Sequence, residues 1–136
     1  MILRFMATAG IAAANAGEVR RIGLDGREGL AAPASEMGKD GIERINKVTE
    51  PGLELFPCKD KPSKGTIMVC PGGGYFILAI NHEGRDIAKM LNGFGYDVAV
   101  LLYHVNSGDK TRAMALEEAE EGFELIRKRG AEFGLD

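Results

Sequence analysis

The sequence predicts an α/β domain in which parallel strands are buried beneath helices on both sides. Three observations point there. Two short apolar runs, Thr66-Ile67-Met68-Val69-Cys70 and Val98-Ala99-Val100-Leu101-Leu102, lack the polar alternation of a half-exposed strand. Each precedes a segment whose apolar residues recur at helical spacing, over 84–92 and 111–129. The order strand, helix, strand, helix then makes the two strands parallel and adjacent when the crossover has its usual right hand. With 136 residues, 45% hydrophobic and 27% charged, the chain has the composition of one globular domain or part of one, not of a disordered segment.

At the N-terminus, Arg4 supplies a positive start, residues 5–14 are weakly apolar and small, and Ala14-Asn15-Ala16 puts small residues where a signal peptidase reads them. Residues 1–16 are therefore read as an export leader, which implies a secreted or periplasmic protein. An alanine-rich N-terminal helix or a start placed too early has the same composition and leaves the chain cytoplasmic. Residues 17–50 read as an irregular segment, because glycine recurs up to Asp40, Pro33 and Ser35 interrupt, and only Ile42, Ile45 and Val48 hint at a short element. The remaining 51–136 form the domain proper.

Leu53-Glu54-Leu55-Phe56 reads as a short strand, bounded by Pro51 and Pro57, which cannot continue a ladder. Residues 59–64, with Pro62 and Ser63, form a turn, and Pro71 ends the strand over 66–70 for want of an N–H. In the helix over 84–92, Ile87, Ala88, Met90 and Leu91 follow the period, and Gly93 is expected to give the left-handed stop. In the helix over 111–129, Ala115, Leu116, Ala119, Phe123 and Ile126 make the expected buried stripe. Glu117, Glu118, Glu120 and Glu121 are then a solvated face, and acids early with bases late suit the helix dipole. The final residues, Glu132 to Asp136, turn back toward the sheet, where a further strand would start.

Several functions are disfavoured. A net charge of −3 with scattered Lys and Arg offers no basic face to nucleic acid. No apolar run approaches the ~20 residues of a membrane-spanning helix. Two His and two Cys match no metal-ligand spacing, and no cofactor is expected. Cys58 and Cys70 are expected as free thiols, with Cys70 a small buried residue, although export would permit a bridge.

The chemistry-bearing segment is Pro71-Gly72-Gly73-Gly74-Tyr75, directly after a buried strand. Successive glycines let the backbone turn sharply and leave its N–H groups uncovered, which is how an oxyanion pocket is built. A dinucleotide fingerprint needs spaced glycines and a helix starting on the turn, and a Walker loop needs Gly-Lys-Ser or Gly-Lys-Thr. Neither pattern is present. An oxyanion loop of the His-Gly-Gly-Gly type remains.

Gly41-Ile42-Glu43-Arg44-Ile45, Val48-Thr49-Glu50-Pro51, Cys70-Pro71-Gly72-Gly73-Gly74-Tyr75, His82-Glu83-Gly84, Leu125-Ile126-Arg127 and Gly134-Leu135-Asp136 together resemble the N-terminal half of bacterial α/β-hydrolase esterases. The group is the one related to acetyl-xylan esterases and lipase-like proteins, and the resemblance spans about residues 41–136. It implies a partial α/β-hydrolase fold, three-layered with a mostly parallel sheet, truncated before the nucleophile-elbow strand. The implied function is a serine carboxylesterase-type hydrolase acting on a small ester or an acetylated carbohydrate.

Carried onto this sequence, the resemblance places the oxyanion donors at the N–H groups of Gly73 and Gly74. Tyr75 lines the acyl or alcohol pocket and Gly72 supports the loop. Pro71 stands where related enzymes often have His and cannot donate. His82 lies upstream of the nucleophile position, outside the Ser, acid, His order of the triad, so its expected role is a supporting hydrogen bond to the glycine loop or the helix start. His104 stands where the family more often has Arg, which removes the arginine of any family ion pair there. Ser35, Ser63 and Ser107 lack the flanking glycines of an elbow, so no triad member is identified and these residues alone are expected to be inactive.

In the family's sheet order, the strand over 66–70 lies between the strand over 96–102 and the elbow strand. An open apolar edge is thus expected, and with it self-association. Two other classes of function remain: a non-catalytic α/β binding or interaction module, and a small nucleotide-binding domain, which the glycine spacing disfavours.

Overall fold

The computed structural model describes residues 18–136, so the leader read at 1–16 lies outside the described residues. The strands are β1 (Arg20–Gly23), β2 (Glu36–Met37), β3 (Glu43–Ile45), β4 (Gly52–Phe56), β5 (Thr66–Val69), β6 (Leu78–Ala79) and β7 (Asp97–Leu102). The helices are α1 (Asp86–Gly93) and α2 (Thr111–Arg129). A four-stranded sheet has the order β1-β4-β7-β5, and a smaller antiparallel one has the order β2-β3-β6.

The apolar run of β7 takes the centre of the larger sheet, with Val98 to Leu102 wholly buried. On one side it pairs in parallel with β5, from Thr66 opposite Asp97 to Val69 opposite Val100. The crossover between these two strands carries α1, as the alternation of strands and helices predicts. On the other side β7 pairs antiparallel with β4, and β4 pairs antiparallel with β1. The sheet is therefore mixed, not mostly parallel, among the described residues. Only β5 and β7 are linked by a helical crossover, the connection that parallel pairing requires.

Alternation along β7 separates the two faces. Val100 points to the side where Gly84 enters α1, and Leu101 points to the side where Gly122 of α2 sits beside Leu101, Met68 and Leu53. One helix thus covers each face. A Cβ at Gly122 would lie 3.2 Å from Leu101 Cδ1, so α2 approaches the sheet along its smallest residue.

That approach corrects the expected stripe of α2. Its buried residues are Thr111, Ala115, Glu118, Gly122 and Leu125, whereas Leu116 and Phe123 are 63% and 58% exposed. Side-chain size favoured the larger residues, but close packing favoured the side that lets the helix come nearest. The end of α1 is also corrected. Gly93 stays helical, Phe94 caps the helix, and the left-handed residue is Gly95, with φ 92°.

The segment 17–50 holds three short strands and is not irregular throughout. β1 escapes a pattern search because one of its inward residues is Arg21. That arginine stands opposite Glu54 of β4, and its Nε donates to Glu54 Oε1 at 3.0 Å. A buried charge pair here replaces the apolar signal that a strand normally shows.

After α2, a 3-10 turn over Gly130–Phe133 returns the chain to the sheet. The Asp136 N–H donates to Asp97 Oδ2 at 2.8 Å, and Thr66 Oγ1 donates to the Asp136 carbonyl at 2.8 Å. The outer edge of β5 pairs with no strand among the described residues. Cys58 and Cys70 are not bridged, and Cys70, beside that open edge, is exposed rather than buried.

Candidate functional site

The glycine loop leaves the C-terminal end of β5 and runs into β6, which pairs with β3. Gly73 has φ 154° and Gly74 has φ 64°, and a Cβ at Gly73 would lie 1.9 Å from the Ile77 carbonyl oxygen. Only glycine accepts both that conformation and that contact. The turn is closed by the Phe76 and Ile77 N–H groups donating to the Gly73 carbonyl, and by the Ala79 N–H donating to the Gly72 carbonyl at 2.9 Å.

The loop is braced from outside at three points. The buried Tyr103 hydroxyl of the segment after β7 donates to the Pro71 carbonyl. Burial, with Cys70, Tyr75 and Glu83 nearby, pushes the Tyr103 phenol up to about 12, so the donating proton stays in place across the neutral range. The Gly72 N–H donates to Glu83 Oε2 at 2.7 Å. The Asn106 N–H donates to the Tyr75 carbonyl at 2.8 Å.

The last contact joins two residues that both have positive φ without being glycine, Tyr75 at 68° and Asn106 at 55°. For a tyrosine this conformation costs on the order of 1 kcal/mol or more, which the surrounding contacts must offset. The N–H groups of Gly73, Gly74 and Tyr75 donate to no acceptor among the described residues. Two adjacent glycine donors on a braced loop are suited to an oxygen that becomes negative during a reaction.

Tyr75 stands between two depressions. One, of about 520 Å³, is lined by Gly74, Phe76, Asn106, Asp109 and Arg112. The other, of about 230 Å³ and more apolar, runs between Cys70, Leu101, Tyr103, Ala115 and Leu116. The Arg112 guanidinium lies over the Tyr75 ring at 5.4 Å and borders both. Gly74 and Tyr75 thus share the rim of the larger depression, and Gly73 precedes them in the chain.

Half of this chain resembles an acetylxylan esterase. Over 68 residues, 50% of the chain, it is 35% identical to the acetylxylan esterase of Xylanibacter ruminicola, and it spans 14% of that protein's length. No family model matches the chain, and no solved structure matches it. The esterase likeness therefore rests on part of the chain and a small part of the relative.

Two of the motifs quoted from the sequence, Gly41 to Ile45 and His82-Glu83-Gly84, meet at this loop, whereas Gly134 to Asp136 lies at the other end of β5 and β7, against Thr66 and Asp97. Asn81 at the loop's exit accepts the Glu43 N–H at 2.9 Å and donates to the Gly41 carbonyl at 2.8 Å. Gly41 to Ile45 is thereby docked against the loop exit. His82, expected to support the loop, is exposed and makes no side-chain hydrogen bond among the described residues; its neighbour Glu83 makes that contact. The chain between Ile80 and Asp86 explains the exchange, because it is a π-helical turn over Asn81–Arg85 and not regular α-helix.

One further residue departs from the sequence expectation. Glu118, assigned to the solvated face of α2, is buried, and its Oε2 accepts the His104 N–H at 2.8 Å while Oε1 contacts His104 Nδ1. His104 is thus held by a polar contact to α2. The helix-facing position of Glu118 was legible only as an i, i+3 neighbour of Ala115. The three serines are used locally: Ser35 Oγ donates to Glu43 Oε1, Ser63 Oγ to the Gly65 carbonyl and Ser107 Oγ to the Val105 carbonyl. Among the described residues, no group of three His, Cys, Asp or Glu side chains is arranged to hold a metal ion.

Proposed function

We propose that this chain supplies the oxyanion loop of a serine carboxylesterase-type enzyme with the α/β-hydrolase fold, its donors being the N–H groups of Gly73 and Gly74. The observation that carries the reading is the pair of adjacent glycine N–H groups left without acceptors on a loop braced at Pro71, Gly72 and Tyr75. The partial likeness to an acetylxylan esterase supports an ester as substrate, with acetylated carbohydrate as the favoured class. Tyr75 and the depressions beside it would receive the acyl and alcohol groups. The sheet order, with β7 between β4 and β5 and one helix on each face, supports the fold.

In such an enzyme the loop stabilises the tetrahedral intermediate, and loss of one donor costs about 3 kcal/mol of transition-state stabilisation. A nucleophile and its base must come from elsewhere, because none of the serines in this sequence has the elbow pattern. These 136 residues are therefore expected not to turn over p-nitrophenyl acetate. Saturable hydrolysis that a serine-directed phosphonate abolishes would overturn that expectation. A nucleotide that raises the melting temperature would instead favour the nucleotide-binding alternative.

Self-association is part of the same reading. The open edge of β5 lies beside the exposed Leu116, and the exposed Phe123 follows two helical turns further along α2. Sizing chromatography is expected to show a dimer or larger species, and Leu116→Glu combined with Phe123→Lys is expected to shift it toward monomer. A monomeric wild-type profile with a cooperative melt would count against it.

A further inference from the structure

We infer that Glu83 is a positioning residue that sets which of the three glycine N–H groups can act as donors: it takes up the Gly72 N–H and leaves those of Gly73 and Gly74 to the substrate oxygen. The inference rests on the oxyanion reading above and adds to it the residue that orients the loop.

The three glycines have different jobs. Gly73 is required by its backbone, as shown. Gly72 is not in the left-handed region, yet a Cβ there would stand 2.2 Å from Glu83 Oε2. The residue at 72 must be small because the carboxylate occupies the space a side chain would need. Gly74 supplies the second unpaired glycine N–H, ahead of that of Tyr75.

The π-turn puts the carboxylate there. The Arg85 N–H reaches back five residues to the Ile80 carbonyl at 2.8 Å, so this turn is wider than an α-helical one. Gly84 lets it sit against the strand end: a Cβ at Gly84 would lie 3.1 Å from both Pro71 Cγ and Val100 Cγ1. On the next residue, Arg85 is anchored to the buried Glu54 by Nε at 2.9 Å and by its terminal nitrogen at 2.8 Å. Pro71-Gly72 and Glu83-Gly84 are therefore one interlocked unit, although eleven positions separate the bonded residues Gly72 and Glu83.

The consequence is electrostatic as well as steric. A run of three glycines has many ways to point its N–H groups, and an exposed carboxylate holding the first of them removes most of that freedom before substrate arrives. Its negative charge also disfavours a developing oxyanion at Gly72 and directs it to the Gly73 and Gly74 pair.

Residue-resolved amide exchange and nitrogen–proton correlation spectra of the labelled chain test this, with sodium acetate as the anion probe. In the wild type the Gly72 amide is expected to be protected, the Gly73 and Gly74 amides to exchange freely, and acetate to move the resonances of Gly73 and Gly74. Glu83→Ala should speed Gly72 exchange about tenfold or more and broaden the two donor resonances. Glu83→Gln, which keeps an acceptor oxygen, should restore most of both.

Gly72→Ala, which fills the carboxylate's seat, should reproduce the alanine variant at 83 and serves if that variant does not fold. Equal Gly72 exchange in the wild type, Glu83→Ala and Gly72→Ala overturns the role of Glu83, and acetate still moving Gly73 and Gly74 would show that the oxyanion reading survives it. A protected Gly72 with no loop amide responding to acetate overturns the oxyanion reading, and with it the positioning role.

Discussion

Glu54→Ala is expected to destabilise the domain by about 3–5 kcal/mol, a large part of the ~5–15 kcal/mol that holds a typical domain folded. Glu54 is completely buried and accepts from Arg21 Nε at 3.0 Å and from Arg85 at 2.8 and 2.9 Å. Truncation leaves two mostly buried guanidinium groups, and the Glu43 carboxylate, 3.1 Å from Arg85, compensates only one of them. Removing one member of such a cluster is costly because the charges left behind have already lost their water.

The cost disappears if the whole cluster is exchanged for apolar side chains of similar volume, so Glu54→Met with Arg21→Met and Arg85→Met should recover most of the lost stability. Chemical denaturation of the two variants measures the difference, and a Glu54→Ala change below about 1 kcal/mol would refute the ledger. The cluster also bears on the site. Arg85 ends the π-turn that carries Glu83, so loss of Glu54 is expected to loosen the Gly72 contact along with the sheet.

Asp97→Asn is expected to be the second most damaging change and the one that alters acid stability. Asp97 opens β7, is wholly buried, and accepts from the Cys58 N–H at 2.7 Å, the Asp136 N–H at 2.8 Å and the Lys61 ammonium at 2.6 Å. Burial works to raise its pKa, but the Lys61 ammonium and the two N–H groups outweigh it and bring the carboxyl down to about 2, from 3.8. Because the folded value lies below the unfolded one, the carboxylate's contribution is complete above about pH 4 and is lost as the pH falls through about 2.

That interval corresponds to about 2 kcal/mol. Asn cannot titrate, and its amide hydrogens oppose one of the three donors, so the variant is expected to be less stable by about 2–3 kcal/mol at neutral pH. Its stability should then change less between pH 4 and 2 than that of the wild type. Urea midpoints across that range decide the matter, and parallel wild-type and variant curves would refute the assignment.

These two residues also show where sequence reading stopped. Glu54 sits inside a run that reads clearly as a strand, yet nothing local says that Arg21, thirty-three residues earlier, stands opposite it. Without that pairing, β1 has Val19, Ile22 and Leu24 as its apolar cues, split by Arg20-Arg21 and Gly23, and looks irregular. Asp97 looks like an ordinary charged residue before a strand. Its importance comes from Cys58 and Lys61 of the β4–β5 connection and Asp136 at the far end of the sequence converging on it.

The site divides the same way. Continuous apolar runs marked the strands over 66–70 and 96–102, helical periodicity marked both helices, and the missing N–H of Pro71 marked the break. The triple glycine pointed to a sharp loop with uncovered N–H groups, and Gly73 and Gly74 take the positive-φ backbone that glycine adopts without strain. These are local properties, governed by sterics within a few residues, and a sequence states them directly. Which N–H groups remain unpaired, that Glu83 rather than His82 reaches the loop, that Glu118 turns inward to His104, and that α2 packs along Gly122 instead of Leu116 and Phe123 were decided by tertiary structure. Each depends on a long-range approach distance, and a difference of one side-chain length decides which of two neighbouring residues makes the contact.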